Sequence, residues 1–235
     1  KPVFPELGNN HGDLMTTRWA YEAMVVTQFR ENRFEEVFYD TDQKISESNY
    51  HTAFLIPGLE SFVKDILWYR ELDQSFEDWM EEDLDLLHGE LYTLARVSGQ
   101  PPFKQAEYLR AGLFDESLAD QVMDYLYGMK MYYEQLYRSA NTERNRLYDS
   151  LIQVYGKEGF DTFRLRYHNK YLEDLLKNTK ETEKIVFTHA GFVRKMDPVF
   201  MMPVSDFGRA HFYAPSKMIN GKHISTLIFN VLFIW

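Results

Sequence analysis

The sequence predicts an all-α protein, an elongated helical hairpin or bundle that gives way to an irregular C-terminal segment. Apolar residues recur at three- and four-residue spacing over most of positions 15–178, the signature of helices with one greasy face. Helix breakers are scarce, with 12 Gly and 8 Pro in 235 residues. Those that do occur concentrate late, at Pro198, Pro203, Gly208, Pro215 and Gly221, where long periodicity stops.

Residues 1–12 carry Pro2, Pro5, Gly8 and Asn9-Asn10 and read as an irregular lead-in. A helix follows, with Asp13 or Thr16 placed to cap it and Met15, Trp19, Ala23, Val26 and Phe29 at helical spacing. Tyr21, Met24 and Val25 lie off that stripe, so more than one face is apolar. Such a helix sits either in a core or between a protein body and a second apolar medium.

Between 55 and 72, Pro57 fits a first helical turn, and Leu59, Phe62, Val63, Ile66 and Leu67 supply an apolar face. Phe76, Met80, Leu84, Leu87, Leu91 and Leu94 form a four-three seam, backed by an acidic face of Glu77, Asp78, Glu81, Glu82, Asp83 and Asp85. That face lacks the alternating oxygens and the glycine of a calcium loop, so we read it as solvated. After Gly99, Pro101 and Pro102 the longest periodic stretch runs through Leu118, Val122, Tyr125, Met129, Tyr132 and Leu136 to Leu147, Leu151 and Val154. Beyond Gly156 and Gly159 another seam, Phe160, Phe163, Tyr167, Tyr171 and Leu175, ends at Asn178. The seams near 75–98 and 115–155 are expected to pack antiparallel. Residues 184–187 suit a strand or a helix end, and residues 224–235 form an apolar run shorter than the roughly 20 residues that cross a bilayer.

Composition narrows the function. A formal charge of −10 without a basic stripe argues against nucleic acid as a partner. The absence of cysteine removes disulfides, thiolate nucleophiles and thiolate metal sites. There is no phosphate-binding Gly-x-x-x-x-Gly-Lys-Ser/Thr, no Gly-x-Ser-x-Gly elbow and no His-Glu-x-x-His, and the seven histidines are scattered. His88 with Glu90, and Asp161 with His168, are the pairs closest to an acid–base couple, a spacing that chance supplies on helix surfaces. We therefore expect a non-catalytic segment with no cofactor and no metal.

Two stretches carry a resemblance. Thr17-Arg18-Trp19-Ala20-Tyr21-Glu22-Ala23-Met24, with Gln28-Phe29 and Asn32-x-Phe34-Glu35, resembles the S/T-R-W-A-x-E-A-L helix of ABC type-two export permeases, which include the G-subfamily half-transporters. In that family the helix lies at the outer membrane–water interface after the fifth membrane helix. Residues 208–217, Gly-Arg-Ala-His-Phe-Tyr-Ala-Pro-Ser-Lys, followed by the apolar run at 224–235, look like the approach to the sixth membrane helix in bacterial transporters that fuse an ATP-binding cassette to this permease.

The resemblance implies a soluble extracytoplasmic domain of an ATP-driven exporter, on the periplasmic face of the inner membrane, that docks, gates or covers the translocation path. It implies three parts: an interfacial helix region over 1–40, a helical domain over 41–205 and the approach to a truncated membrane helix over 206–235. The expected partners are the protein's own transmembrane domain, the membrane surface and a second copy of the transporter. Trp19, Tyr21, Met24, Phe229, Phe233 and Trp235 are the expected membrane-interface residues, with the two ends of the chain brought to one place. Read without the resemblance, the same residues suit a helical scaffold or protein-interaction module, or a small-molecule binding domain, of a cytosolic protein.

Overall fold

The computed structural model describes residues 16–72, 77–189, 191–203 and 210–234. The lead-in at 1–12, Asp13, Met15, Phe76, the Gly208-Arg209 start of the second motif and Trp235 lie outside the described residues, as does the side chain of Phe233. The fold is mainly helical: α1 Thr16–Arg30, α2 Glu35–Tyr50, α3 Ile56–Leu72, α4 Glu77–Ser98, α5 Glu116–Tyr167, α6 Lys170–Leu176 and α7 Thr226–Ile234. Its late part is less regular and carries two antiparallel hairpins. One pairs β1 Ile185–Thr188 with β2 Gly191–Arg194, and the other pairs β3 Ser216–Ile219 with β4 Lys222–Ser225.

Helix α2 was not expected from periodicity, because its apolar residues are few. The signal is the cap. Asn32 Oδ1 accepts the N–H groups of Phe34 and Glu35 at 3.0 and 2.9 Å, while its amide donates to the carbonyls of Gln28 and Phe29 at the end of α1. One side chain thus closes one helix and opens the next, with Glu35 and Glu36 in a first turn that favours negative charge. Pro57 does not open a helix. The chain is already helical and passes through a π-helical turn, His51–Leu55, whose wider spacing accommodates the missing proline N–H and the ring.

Helix α5 is broken at Gly156, whose backbone (φ 70°, ψ 166°) is non-helical. Were the helix continuous, Tyr148 and Phe160 would stand about 18 Å apart along the axis. Their ring centroids are 4.6 Å apart instead, and those of Tyr155 and Phe163 are 5.3 Å apart and stacked. The chain therefore reverses at Gly156, and 157–167 returns along the end of the preceding helix. The seam expected to continue through Tyr171 and Leu175 stops at His168, because Asn169 caps a new helix by accepting the Leu172 N–H. Leu172 and Leu176 become its buried face, and Asn178 takes the left-handed conformation (φ 49°) of a helix stop.

The chain forms two compact units, one of residues 1–47, 136–184 and 195–235, the other of 48–135 and 185–194. The segments read as 1–40 and 206–235 fall in the same unit. Its core gathers Val25, Val26, Phe29, Tyr39, Leu172, Leu176, Val199 and Phe200.

In the other unit Leu84, Leu87, Leu91 and Leu94 are buried, as are Leu118, Val122, Leu126, Met129 and Tyr133. The expected antiparallel packing of α4 against the first half of α5 is corrected here. Glu81, near the start of α4, accepts the Ala111 N–H just before α5 (2.7 Å), while Ser98, roughly 25 Å further along α4, accepts the hydroxyl of Tyr132, well into α5 (3.2 Å). The two helices run in the same direction. The Pro-rich connector travels back between them, held by Tyr125 donating to the Pro101 carbonyl. The seam also drifts: Leu126 and Tyr133 replace Tyr125 and Tyr132 as core residues, because 3.6 residues per turn slowly outruns a strict seven-residue repeat.

The β1–β2 hairpin is pinned in this unit by Glu90, which accepts the Phe192 N–H at 2.9 Å. A Cβ at Gly191 (φ 113°) would collide with that carboxylate. Burial pushes the Glu90 carboxyl above its ordinary range, against the Phe192 hydrogen bond that lowers it.

Leu87 is fully buried, whereas Glu82 is exposed beside Asp83, whose carboxyl is pushed up by burial and by Glu82. In urea unfolding, Leu87→Asp should cost about 4 kcal/mol for an unpaired buried carboxylate, and Glu82→Lys should stay within about 0.5 kcal/mol of wild type. Similar costs at the two positions would show that the faces of α4 are misassigned.

Candidate functional site

The residues quoted for the two motifs meet inside one unit. Helix α7 packs along α1, with the rings of Trp19 and Phe229 6.1 Å apart. Thr226, at the start of α7, is bonded to the carbonyls of Ala214 and Pro215, next to Tyr213, which packs against the Val25–Val26 core. Asn230, one turn later, reaches back to Trp19. The two helices are therefore antiparallel.

Beneath them lies a buried polar cluster. Glu22 (1% exposed) accepts the ammonium of Lys217 (3% exposed) at 2.8 Å and the Tyr213 N–H at 3.0 Å on the same oxygen. Its other oxygen accepts the amide of Asn230 at 2.9 Å, and that amide also donates to the Trp19 carbonyl at 3.0 Å. Lys217 arrives from β3, and Tyr213 holds a left-handed backbone (φ 72°) with its N–H on the carboxylate. Burial, the neighbouring Tyr21 hydroxyl and the Glu22 charge push the Tyr213 hydroxyl up to about 12. Stripping water from a carboxylate and an ammonium costs several kcal/mol each, and the further hydrogen bonds on and beside the pair, among them a long one from Lys217 to the His211 carbonyl, offset that cost. Asn230 Oδ1 is buried without a hydrogen-bond partner.

This inward chemistry inverts the polarity of α7. Its polar Thr226 and Asn230 are fully buried, while Leu227, Ile228, Val231 and Leu232 are exposed, Leu232 to 66%. A water-facing helix has the opposite arrangement. Helix α1 continues the surface with exposed Tyr21 and Met24, the latter 65% exposed.

The expected interface residues thus divide. Tyr21 and Met24 lie on the apolar surface, but Phe229 is buried and Trp19 half-buried, because these two rings form the joint between the helices. Leu227, Ile228, Val231 and Leu232 carry the surface instead. The polar residues Thr226 and Asn230, four apart in a greasy run, were the available signal that the opposite face points outward.

A second network lies in the same unit. His168 Nδ1 is 2.6 Å from Glu35 and its Nε2 3.5 Å from Glu173. Glu173 pairs with Lys177 at 2.8 Å and Lys170 at 3.1 Å, Lys177 approaches Asp42 at 4.0 Å, and Asp42 pairs with Arg144. Burial pushes the Glu35 carboxyl up despite His168. Burial acts upward on Glu173 too, but the Lys177 and Lys170 ammoniums outweigh it and hold the carboxyl down at about 2. His168 is therefore joined to Glu35 and not to the Asp161 suggested by spacing, and Glu90 is engaged by Phe192 and not by His88.

An open groove of about 480 Å³, lined by Pro101, Phe103, Tyr125 and Met129 among others, lies between the 100–105 connector and α5. Among the described residues no group of three or more His, Asp or Glu side chains is placed to hold a metal ion. No protein-family model, no curated protein and no solved structure matches the chain.

Glu22→Ala leaves the Lys217 ammonium buried without its partner and should destabilise by about 3–5 kcal/mol in urea unfolding. The double variant Glu22→Leu with Lys217→Met should cost much less than the two single changes summed, and simple additivity would contradict a desolvated pair.

Glu173 is depressed on folding, so its stabilisation is complete above its ordinary value of 4.5 and is lost as pH falls towards about 2. Glu173→Gln should remove about 2 kcal/mol of stability at pH 7 and flatten the decline over that window. An unchanged acid limb in the variant would assign the decline to other carboxylates.

Proposed function

We propose that the chain is a non-catalytic, membrane-facing domain of an ATP-driven exporter of the ABC type-two permease group, with α1 as its interfacial helix and α7 as the approach to a membrane helix. The observation that carries this reading is the inverted polarity of α7 beside α1. Only an apolar surrounding rewards Leu227, Ile228, Val231 and Leu232 for facing outward while Thr226 and Asn230 face inward.

A second observation supports the family. Glu22 belongs to the first motif and Tyr213 and Lys217 to the second, and both of the latter donate to the Glu22 carboxylate. Motifs far apart in the chain that meet at a buried ion pair behave as parts of one device. No helix among the described residues is long and apolar enough to cross a membrane. The nine residues of α7 rise about 13 Å, enough to lie against or enter one leaflet. On this reading the domain sits on the extracytoplasmic membrane surface against its own transmembrane domain, where it docks or gates the export path.

The chain has no cysteine, so a single introduced one can be labelled uniquely. An environment-sensitive fluorophore at Met24→Cys or Ile228→Cys should shift to the blue and become protected from an aqueous quencher when vesicles are added, while Leu165→Cys, on an exposed face of the 157–167 helix, should not respond. Absence of a shift at both test sites defeats the membrane reading. A shift that grows with protein concentration without vesicles favours the scaffold alternative, with a second copy covering the face.

A further inference from the structure

We propose that the groove between the 100–105 connector and α5 binds a small aromatic zwitterion of the free amino-acid class, a function that stands apart from the membrane-facing reading and does not rest on it. The groove lies wholly within the unit of 48–135. Its volume of about 480 Å³ falls inside the roughly 300–1,000 Å³ of small-molecule sites. Buried Phe103 and Met129 and half-buried Tyr125 and Tyr132 give it apolar and aromatic surface. Both tyrosine hydroxyls donate to backbone, Tyr125 to the Pro101 carbonyl and Tyr132 to that of Ser98, so what they offer a ligand is chiefly ring. The Phe103 and Tyr125 rings lie 5.6 Å apart and tilted, an arrangement that a ligand's ring can join.

Two further features select the ligand. Asp124, Gly128 and Tyr132 stand four residues apart in one row along α5, and all three line the groove. Glycine weakens a helix interior, yet a Cβ at Gly128 would meet no atom within 4 Å, so no packing neighbour requires its absence. What the missing side chain leaves is room on the helix wall, with a carboxylate one turn to one side and an aromatic ring one turn to the other. The second feature is charge. Lys104 is exposed on the connector wall and Asp124 on the helix wall, and among the described residues neither side chain has an ion-pair or hydrogen-bond partner. A ligand that carries both an ammonium and a carboxylate answers both walls, the ammonium at Asp124 and the carboxylate at Lys104. Its aromatic body then lies over Gly128 against Tyr132. A ligand with one charge alone leaves one wall without its counter-charge.

The full chain would be titrated, with ligand-detected NMR as the readout, against L-phenylalanine, against phenethylamine, which lacks the carboxylate, and against hydrocinnamate, which lacks the ammonium. L-Phenylalanine should bind with a dissociation constant on the order of 1 mM, and each analogue about fivefold more weakly, the worth of an exposed ion pair. Asp124→Asn should weaken phenylalanine to the level of hydrocinnamate without weakening hydrocinnamate, and Lys104→Gln should weaken it to the level of phenethylamine without weakening phenethylamine. Gly128→Leu, whose Cβ has open space, should melt no lower than the wild type and abolish binding of all three. Absence of saturable phenylalanine binding, or binding that survives in Gly128→Leu, overturns the site. Equal affinity for the three ligands, or no effect of Asp124→Asn and Lys104→Gln, overturns the zwitterion assignment. The vesicle response of fluorophores on α1 and α7 is untouched by any of these results, so the two readings fail separately.

Discussion

A carboxylate and an ammonium withdrawn from water tolerate few surroundings, and the Glu22–Lys217 pair organises the elements around it accordingly. The carboxylate has two oxygens to satisfy and takes its donors from three places: the β3 lysine, the left-handed Tyr213 backbone and the Asn230 amide, which also donates to the Trp19 carbonyl. Placing Asn230 and Thr226 on the inward face of α7 leaves its aliphatic residues the outward one. The exposed Leu227, Ile228, Val231 and Leu232 are thus a geometric consequence of a polar interior on a helix of 3.6 residues per turn. In bulk water such a helix would leave much of its apolar surface unburied.

The rest of the molecule follows more ordinary rules. The other unit buries a leucine row on α4 and an aliphatic and aromatic row on α5, with Glu82 and Asp85 turned outward. Its departures from regularity are local answers to local problems: a π turn ahead of Pro57, a glycine where Glu90 approaches the hairpin backbone, and a connector that retraces its path so that two successive helices can run in parallel. The second ionic network joins α2, α5 and α6 through His168, Glu173 and Lys177, whose ammonium also lies over the Phe29 and Phe200 rings. Polar and apolar parts of the unit that holds Glu22 are therefore continuous.

How much of this was legible depended on whether the signal was local. The α4 seam, the break at Gly156 and the stop at Asn178 follow from spacing and from residues with unusual backbone freedom, and all three can be seen in the primary structure. Helix α2 was missed because its evidence is the Asn32 cap and two acidic residues, not an apolar stripe. The direction of α4 against α5 was misjudged because periodicity says which face is buried and nothing about which way a partner runs. At the site, the resemblance places Trp19 and Phe229 at the interface, and nothing in their spacing tells that the two rings meet each other. Which of the apolar residues of α7 point outward is settled by Asn230, a partner of Glu22 that lies 208 residues away.

That separation also has a meaning in time. Glu22 and Asn230 are 208 residues apart in sequence, so during synthesis α1 leaves the ribosome long before the groups that neutralise and cover its carboxylate exist. At roughly 5–20 residues per second the wait is about 10–40 s. Throughout it, Val25, Val26 and Phe29 lack the Val199–Phe200 side of their core, and the nascent chain presents a half-finished greasy helix to its surroundings. The other unit, by contrast, has its 48–135 stretch available at once and lacks only the late hairpin. The order of emergence therefore makes α1 the segment most in need of a chaperone or a lipid surface to hold it, and makes the arrival of α7 the event that completes its fold.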